Sequence, residues 1–185
     1  DETKIPSPVK EKKGFNIDLN LENKVKFIKE IKEIISSAPL ATPGSEISTS
    51  GNYGPRIDPL TGSKSMHHGV DLLIADRKIL APKDGVVLHT NSDSGTFGKF
   101  IVVKHPILDK DGKEIEGSSF TTRYAHLRDI IVREGEQIKE GQVIGLQGST
   151  GRSTGEHLHY EVSMKHNGRN LELNPGKLLT FKNNG

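Results

Sequence analysis

Apolar residues recur along this chain at two different periods, and the change from one to the other falls near residue 44. In residues 22–37 the apolar positions lie three or four apart, at Val25, Ile28, Ile31 and Ile35, with Phe27 and Ile34 beside them. That spacing places apolar side chains on one face of an α-helix. Asn20 is a suitable cap for the helix, and Pro39 follows its end as a stop signal.

Residues 1–21 predict a flexible arm, because they contain two prolines and a lysine-rich stretch from Lys10 to Lys13. We expect the helix that follows to pack on the surface of the main domain. A propeptide-like or docking role for the helix is the alternative. These expectations divide the chain into an N-terminal arm with its helix, residues 1–44, and a second domain, residues 45–185.

After residue 44 the apolar residues come in short runs of β-branched and aromatic side chains, separated by glycine turns. The five clearest runs predict strands at Val70–Ile74, Gly85–Thr90, Phe100–His105, Phe120–Leu127 and Gln142–Leu146. Asp111-Gly112, between two apolar pairs, predicts a hairpin tip. No helix-length periodicity follows residue 45. The sequence thus predicts an all-β domain, built as an antiparallel β-sandwich or open barrel.

The composition excludes several classes of protein. A net charge of +2, from 26 basic and 24 acidic residues, is too balanced to indicate a nucleic-acid partner. The absence of cysteine excludes disulfides and thiolate metal sites. No apolar stretch approaches the roughly 18 residues of a membrane span, so we expect a soluble chain without one. The chain begins with Asp1 and not with Met, which we interpret as a processed or truncated product.

Two short segments carry residue types that bind zinc. His67 and Asp71 are four positions apart, and His157 and His159 are two apart. Residues two or four apart in a strand share one face, so each pair can present both side chains to one site. Catalytic zinc is typically bound by three protein ligands, with a fourth position open for water. A lone strand histidine is more often structural, but two such pairs with a carboxylate and no thiols favour zinc.

Strand geometry also guides the choice of ligands. His68 would point away from Asp71 in an extended chain, so we prefer His67, although a bulge at Gly69 would reverse this choice. The sequence contains no His-Glu-x-x-His, which excludes the helical site of many zinc proteases. Three further histidines have no partner at ligand spacing, and we expect ordinary surface or turn positions for His89, His105 and His166.

Three other sequence patterns resemble functional motifs only in part. The glycine row Gly145, Gly148 and Gly151 lacks the Gly-Lys-Ser/Thr of a phosphate loop, and we expect it to line a substrate groove. Asp109-x-Asp111-Gly112 resembles part of a calcium loop, but the first and twelfth ligand positions fail, so a polar hairpin is expected. Half-motifs of biotin- or lipoate-carrying domains are present without the lysine that those carriers modify at a hairpin tip.

Three motifs stand in a fixed order along the chain. His67–Asp71 reads His-x-x-x-Asp with Gly-x-Asp inside it, Tyr124–Leu127 reads Tyr-x-His-Leu, and His157–His159 reads His-x-His. In these motifs and in the residues that connect them, the chain resembles the lysostaphin-type (M23) zinc endopeptidases of bacterial cell walls. The resemblance covers residues 51–175 and leaves out the N-terminal forty or so.

The resemblance implies a site and an activity. It assigns one zinc ion per chain to His67, Asp71 and His159. It places His126 and His157 beside the bound water, where one imidazole can accept its proton and the other can hydrogen-bond the oxyanion or protonate the leaving amine. Tyr53 is a further candidate for the oxyanion.

The implied function is hydrolysis of peptide bonds of bacterial peptidoglycan, in the cross-bridge or the stem peptide. The implied location is the cell envelope or the outside of the cell. The alternative is a non-catalytic or self-inhibited activator of other cell-wall hydrolases on the same fold. The presence of all three ligand types and both further histidines argues against that alternative.

Overall fold

The computed structural model describes residues 21–37 and 40–179 of the chain. The predicted N-terminal helix is confirmed as α1, Leu21–Ser37, which begins one residue before the apolar pattern does. The flexible arm up to residue 20, the Asn20 cap and the Pro39 stop signal lie outside the described residues. No helix in the described part of the chain is long and apolar enough to cross a membrane.

Helix α1 packs only part of its predicted apolar face against the domain. In its first half, the ring of Phe27 lies 5.8 Å from the ring of His166. Val25 and Ile28 are 45% and 53% exposed, so the N-terminal part of the apolar face remains largely open to solvent. The residues that contact the core come from the second half of the helix, and they are Ile31, Ile34 and Ile35.

Thirteen strands follow the helix in the described residues. They are β1 (Ile47–Gly51), β2 (Gly54–Ile57), β3 (Lys64–His67), β4 (Val70–Ile74), β5 (Lys78–Leu80), β6 (Gly85–Ser94), β7 (Gly98–Leu108), β8 (Glu114–Leu127), β9 (Asp129–Ile130), β10 (Gln137–Ile138), β11 (Val143–Leu146), β12 (Leu158–His166) and β13 (Arg169–Leu173). A short 3₁₀ helix, Pro175–Lys177, comes after them. The five predicted strands are all confirmed, and most of them extend further than the sequence pattern indicates.

The strands form three antiparallel sheets, which confirms the predicted all-β fold. The large sheet has the order β1-β4-β12-β8-β7-β6-β10, with β13 also paired to β12. A three-stranded sheet has the order β5-β11-β9, and β2 and β3 form a separate hairpin. The predicted hairpin tip at Asp111-Gly112 joins β7 to β8, and Asp109 closes it by accepting backbone hydrogen bonds through Oδ1.

The two faces of strand β12 differ: one packs in the core of the domain, and the other carries candidate site residues. Alternate side chains of a strand point to opposite faces. Four consecutive alternate positions are buried in the core, namely Leu158, Tyr160, Val162 and Met164. The intervening positions, beginning with His159 and Glu161, therefore lie on the opposite face. The neighbouring strand β8 follows the same division, because Tyr124 pairs with Tyr160 and Arg123 pairs with Glu161.

Two of the histidines expected at the surface are buried, so that prediction is wrong for His105 and His166. His105 continues the buried alternation of β7, and its Nδ1 donates to the Asp84 carbonyl oxygen at 3.0 Å. Its Nε2 lies 2.8 Å from Thr122 Oγ1. Both ring nitrogens have hydrogen-bond partners, as buried polar groups in folded proteins generally do. His89 lies at the surface beside Glu134, as expected.

Burial of His105 leads to a prediction about acid stability. Desolvation lowers the pKa of His105 below the usual 6.5, so below that pH the unfolded chain binds a proton that the folded chain does not. The free energy of unfolding of the metal-free protein should therefore fall as pH drops below 6.5, by up to about 1.4 kcal/mol per pH unit for this one group. Urea unfolding at pH 7 and pH 5.5 measures it. The His105→Gln variant should show a smaller difference in unfolding free energy between the two pH values. A difference equal to that of the unmodified chain would contradict the assignment.

Candidate active site

The three predicted ligands come together at one end of the large sheet, from three different strands. His67 ends β3, Asp71 lies on β4, and His159 lies on β12. Asp71 and His159 are direct partners in the β4–β12 register. In the described residues, these three form the only group with a geometry suited to holding a metal ion.

His67 and Asp71 are not on one continuous strand, which corrects the strand-geometry argument made for them. The chain leaves β3 at His67 and enters β4 at Val70, so His68 and Gly69 form a corner. A Cβ atom on Gly69 would lie 2.6 Å from the Tyr160 carbonyl oxygen. The corner can therefore approach β12 this closely only with glycine. His68 points away from the group and contacts Glu172 at 2.9 Å.

The ligand atoms have the spacing that a single small ion requires. His67 Nε2 lies 3.0 Å from His159 Nδ1, and each of these nitrogens lies 3.1 Å from Asp71 Oδ1. Ligands bound at about 2.0 Å to one tetrahedral zinc ion would be roughly 3.3 Å apart. All three side chains are buried, so little reorganisation would accompany binding.

The hydrogen bonds behind the two imidazoles direct a lone pair from each toward the centre of the group. His67 Nδ1 lies 2.7 Å from the Asn52 carbonyl oxygen, which can only accept, so Nδ1 donates and Nε2 carries the lone pair. His159 Nε2 donates in the same way to Glu161 Oε1 at 3.0 Å, so that in the neutral ring Nδ1, which faces Asp71 Oδ1 at 3.1 Å, carries the lone pair. Two lone pairs and a carboxylate oxygen thus face one another, an arrangement that suits a cation.

Asp71 is held as an anion with one oxygen left for the centre. Arg56 Nη1 donates to Asp71 Oδ2 at 2.8 Å, and Oδ1 faces the imidazoles. Burial alone would raise the pKa of Asp71, but contacts with His159, His67 and Arg56 hold it far below its usual value. Arg56 was not among the site residues expected from the sequence, because its contact with Asp71 depends on how the β2–β3 hairpin folds over β4.

His126 and His157 lie beside the group, as the resemblance implies. Their rings are 4.8 Å apart, and the ring of His126 is 5.8 Å from that of His159. His126 Nδ1 donates to the Thr150 carbonyl oxygen at 2.8 Å, and His157 Nδ1 donates to the Gly155 carbonyl oxygen at 2.9 Å. Each ring therefore leaves Nε2 free, and His157 Nε2 lies 3.5 Å from Asp71 Oδ1.

His126 has two further unusual properties, a lowered pKa and a left-handed backbone. Desolvation, aided by the nearby charges of His157 and His159, lowers its pKa to about 4, so the ring is neutral at neutral pH. Its backbone has φ of 63°, a left-handed conformation that is costly for residues other than glycine. The His126 backbone N–H donates to the Phe97 carbonyl oxygen at 2.8 Å, which helps to hold this conformation.

An open cleft of about 670 Å³ runs past the group. Three exposed apolar side chains of the β2–β3 hairpin line one wall, and they are Ile57, Leu60 and Met66. Residues 152–157 line another part of the cleft. Arg152 joins these two regions, because its guanidinium binds both oxygens of Asp58, on the hairpin, at 2.6 and 2.8 Å. No residue of α1 lines the cleft.

Two expectations for the cleft are not met. The glycine row does not line it, because a Cβ atom on Gly148 would collide with the Arg128 backbone and one on Gly151 with the Gly98 backbone. These glycines permit close backbone packing instead. Tyr53, expected near the oxyanion, donates its hydroxyl to Glu172 Oε1 at 2.7 Å and does not line the cleft.

Sequence comparison gives a family and a named relative. Residues 65–173 match the sequence model for Peptidase family M23. The peptidoglycan DD-endopeptidase ShyA of Vibrio cholerae serotype O1 is 36% identical over 118 residues, which is 63% of this chain and 25% of that protein. The chain thus spans only a quarter of the length of this relative.

Comparison with solved structures gives the same fold. A zinc-containing peptidase from Vibrio cholerae superposes with a TM-score of 0.56 at 28% identity, over 73% of this chain and 39% of the other. The catalytic domain of the antimicrobial peptidase lysostaphin from Staphylococcus simulans gives a TM-score of 0.56 at 26% identity, over 72% of this chain and 92% of the other.

Proposed function

Because this chain belongs to peptidase family M23, we propose that it is a zinc endopeptidase that hydrolyses peptide bonds of bacterial peptidoglycan, in the cross-bridge or the stem peptide. The observation that carries the proposal is the convergence of three ligand atoms 3.0–3.1 Å apart with two further imidazoles beside them. The peptidoglycan endopeptidase among its relatives supports the substrate class and a location in the cell envelope or outside the cell.

His67 Nε2, Asp71 Oδ1 and His159 Nδ1 would hold the zinc ion. When bound, zinc lowers the pKa of a water molecule and polarises the carbonyl of the scissile bond. Arg56 keeps Asp71 ionised and occupies its second oxygen, so Oδ1 remains directed at the site.

The two further imidazoles provide the proton transfers of hydrolysis. A neutral ring with a free Nε2 accepts the proton of the attacking water, and the resulting N–H can be donated to the leaving amine. The carbonyl oxygens of Thr150 and Gly155 fix the tautomers of His126 and His157 and keep Nε2 as the reactive nitrogen. The low pKa of His126 keeps that ring in the accepting form at neutral pH.

The cleft suits a polymeric substrate because it is an open trough. Its exposed apolar wall offers contacts for uncharged peptide side chains such as alanine. The alternative of a non-catalytic or self-inhibited regulator has no comparable support. The donor set is complete, and α1 contributes nothing to the cleft in the described residues.

Removal and return of the metal tests the proposal. The purified chain should contain about one zinc ion per molecule. Dialysis against a chelator should abolish the release of soluble fragments from purified peptidoglycan, and added zinc should restore it. Mass spectrometry of the fragments then identifies the cleaved bond. Bound zinc without hydrolysis would favour the regulator, and hydrolysis that survives complete removal of zinc would exclude the metal mechanism.

A further inference from the structure

The ring of His159 is held by a side chain, whereas the ring of His67 is held by the backbone. His67 Nδ1 donates to the carbonyl oxygen of Asn52. His159 Nε2 donates to Glu161 Oε1, two residues further along β12 on the same face. The orientation of the proposed zinc ligand His159 therefore depends on a side chain, which mutagenesis can alter directly.

Glu161 is itself fixed by the neighbouring strand. Arg123 is its direct cross-strand partner on β8, and Arg123 Nη1 donates to Glu161 Oε2 at 2.8 Å. Each oxygen of the carboxylate thus has its own partner, one in His159 and one in Arg123. The Glu161 side chain is only 19% exposed, which distinguishes this ion pair from the freely solvated surface pairs that contribute little.

An aromatic ring completes the arrangement. The guanidinium carbon of Arg123 lies 4.6 Å from the centre of the Phe97 ring, a cation–π distance. The Phe97 ring lies 6.0 Å from the ring of His159. The contacts therefore run from His159 through Glu161 and Arg123 to Phe97 and back to His159.

We propose that Glu161 and Arg123 are positioning residues for the metal centre, with Glu161 orienting His159 and Arg123 acting through Glu161. The inference rests on the proposed function, since it assumes that His159 binds zinc. Partners behind metal-bound histidines typically contribute 10–100-fold to metal affinity or activity.

The test is the affinity of the full chain for zinc alone, measured by competition with a fluorescent chelator. Glu161→Ala should weaken zinc binding by about 10–100-fold. Glu161→Gln should lose less, because its amide oxygen still accepts from Nε2. The matched control is Glu134→Gln, which alters a carboxylate beside the exposed His89 and should leave the affinity unchanged. Activity of Glu161→Ala should recover as free zinc is raised.

A double-mutant cycle tests whether Arg123 acts through Glu161. Arg123→Met alone should weaken zinc binding by less than Glu161→Ala does. Adding Arg123→Met to Glu161→Ala should change the zinc affinity by less than about twofold, because the double variant lacks the Glu161 carboxylate through which Arg123 acts on His159. Independent, additive losses would overturn this part of the proposal.

The outcomes separate this inference from the proposed function. If the unmodified chain binds no zinc, both fail. If it binds zinc and Glu161→Ala binds zinc within about twofold as tightly, only the positioning role fails. Thermal unfolding of each zinc-free variant shows whether it is folded, and Glu161→Gln, which keeps the shape of the side chain, decides the question if the alanine variant is unfolded.

Discussion

Replacing His159 with alanine is expected to leave the protein without stoichiometric zinc and without measurable hydrolysis of peptidoglycan. The substitution removes one of three ligand atoms and leaves only His67 and Asp71. It also leaves the partly buried Glu161 without its histidine partner. Zinc affinity should fall by more than the roughly 100-fold that loss of an outer partner costs. Metal analysis by mass spectrometry and loss of turbidity of a peptidoglycan suspension measure the two effects.

The control for this experiment is His89→Ala, which removes an exposed histidine outside the cleft. Its zinc content and its rate of hydrolysis should match those of the unmodified chain. A His159→Ala protein that still carries one zinc ion would show that the ligand set is wrong.

Replacing His126 with alanine should lower the rate of hydrolysis without loss of bound zinc. We expect the variant to keep about one zinc ion while its rate of hydrolysis falls by roughly 10²–10⁴-fold, the usual contribution of a general acid or base. The reason is that His126 supplies a free Nε2 beside the three ligands without being one of them. The measurement compares kcat/KM on soluble peptidoglycan fragments with zinc content in the same preparations.

His126 calls for a second substitution because its backbone is left-handed. Asparagine adopts that conformation more readily than alanine does, so His126→Asn removes the imidazole with less strain. The two variants should lose activity to a similar extent. A large loss in His126→Ala alone would point to disturbed packing around Phe97, and loss of zinc from both would reassign His126 as a ligand.

Much of this architecture could be predicted from the alternation of side chains along the strands. The pattern of Leu158, Tyr160 and Val162 predicts correctly that β12 has a core face opposite His159. The same reasoning could have found the buried histidines. His105 continues the row of Ile101 and Val103, and its burial follows from that position.

Other features of the site depend on contacts between distant parts of the chain. The corner at Gly69 exists because it lies against the backbone of Tyr160, a contact that no local pattern contains. Arg56 reaches Asp71 only after the β2–β3 hairpin has folded. Glu161, by contrast, stands two positions after His159, and that spacing alone indicates a shared strand face.

The separation of the ligands along the chain has a consequence for the stability and lifetime of the protein. His67 and His159 are 92 positions apart, and the chain has no cysteine to form a covalent cross-link. An ion held by these residues would connect β3 and β4 to β12 and so close a long loop, as a disulfide does in secreted proteins. Resistance to unfolding and proteolysis would then depend on the supply of zinc around the protein, and zinc starvation would shorten the lifetime of the protein as well as stop its catalysis.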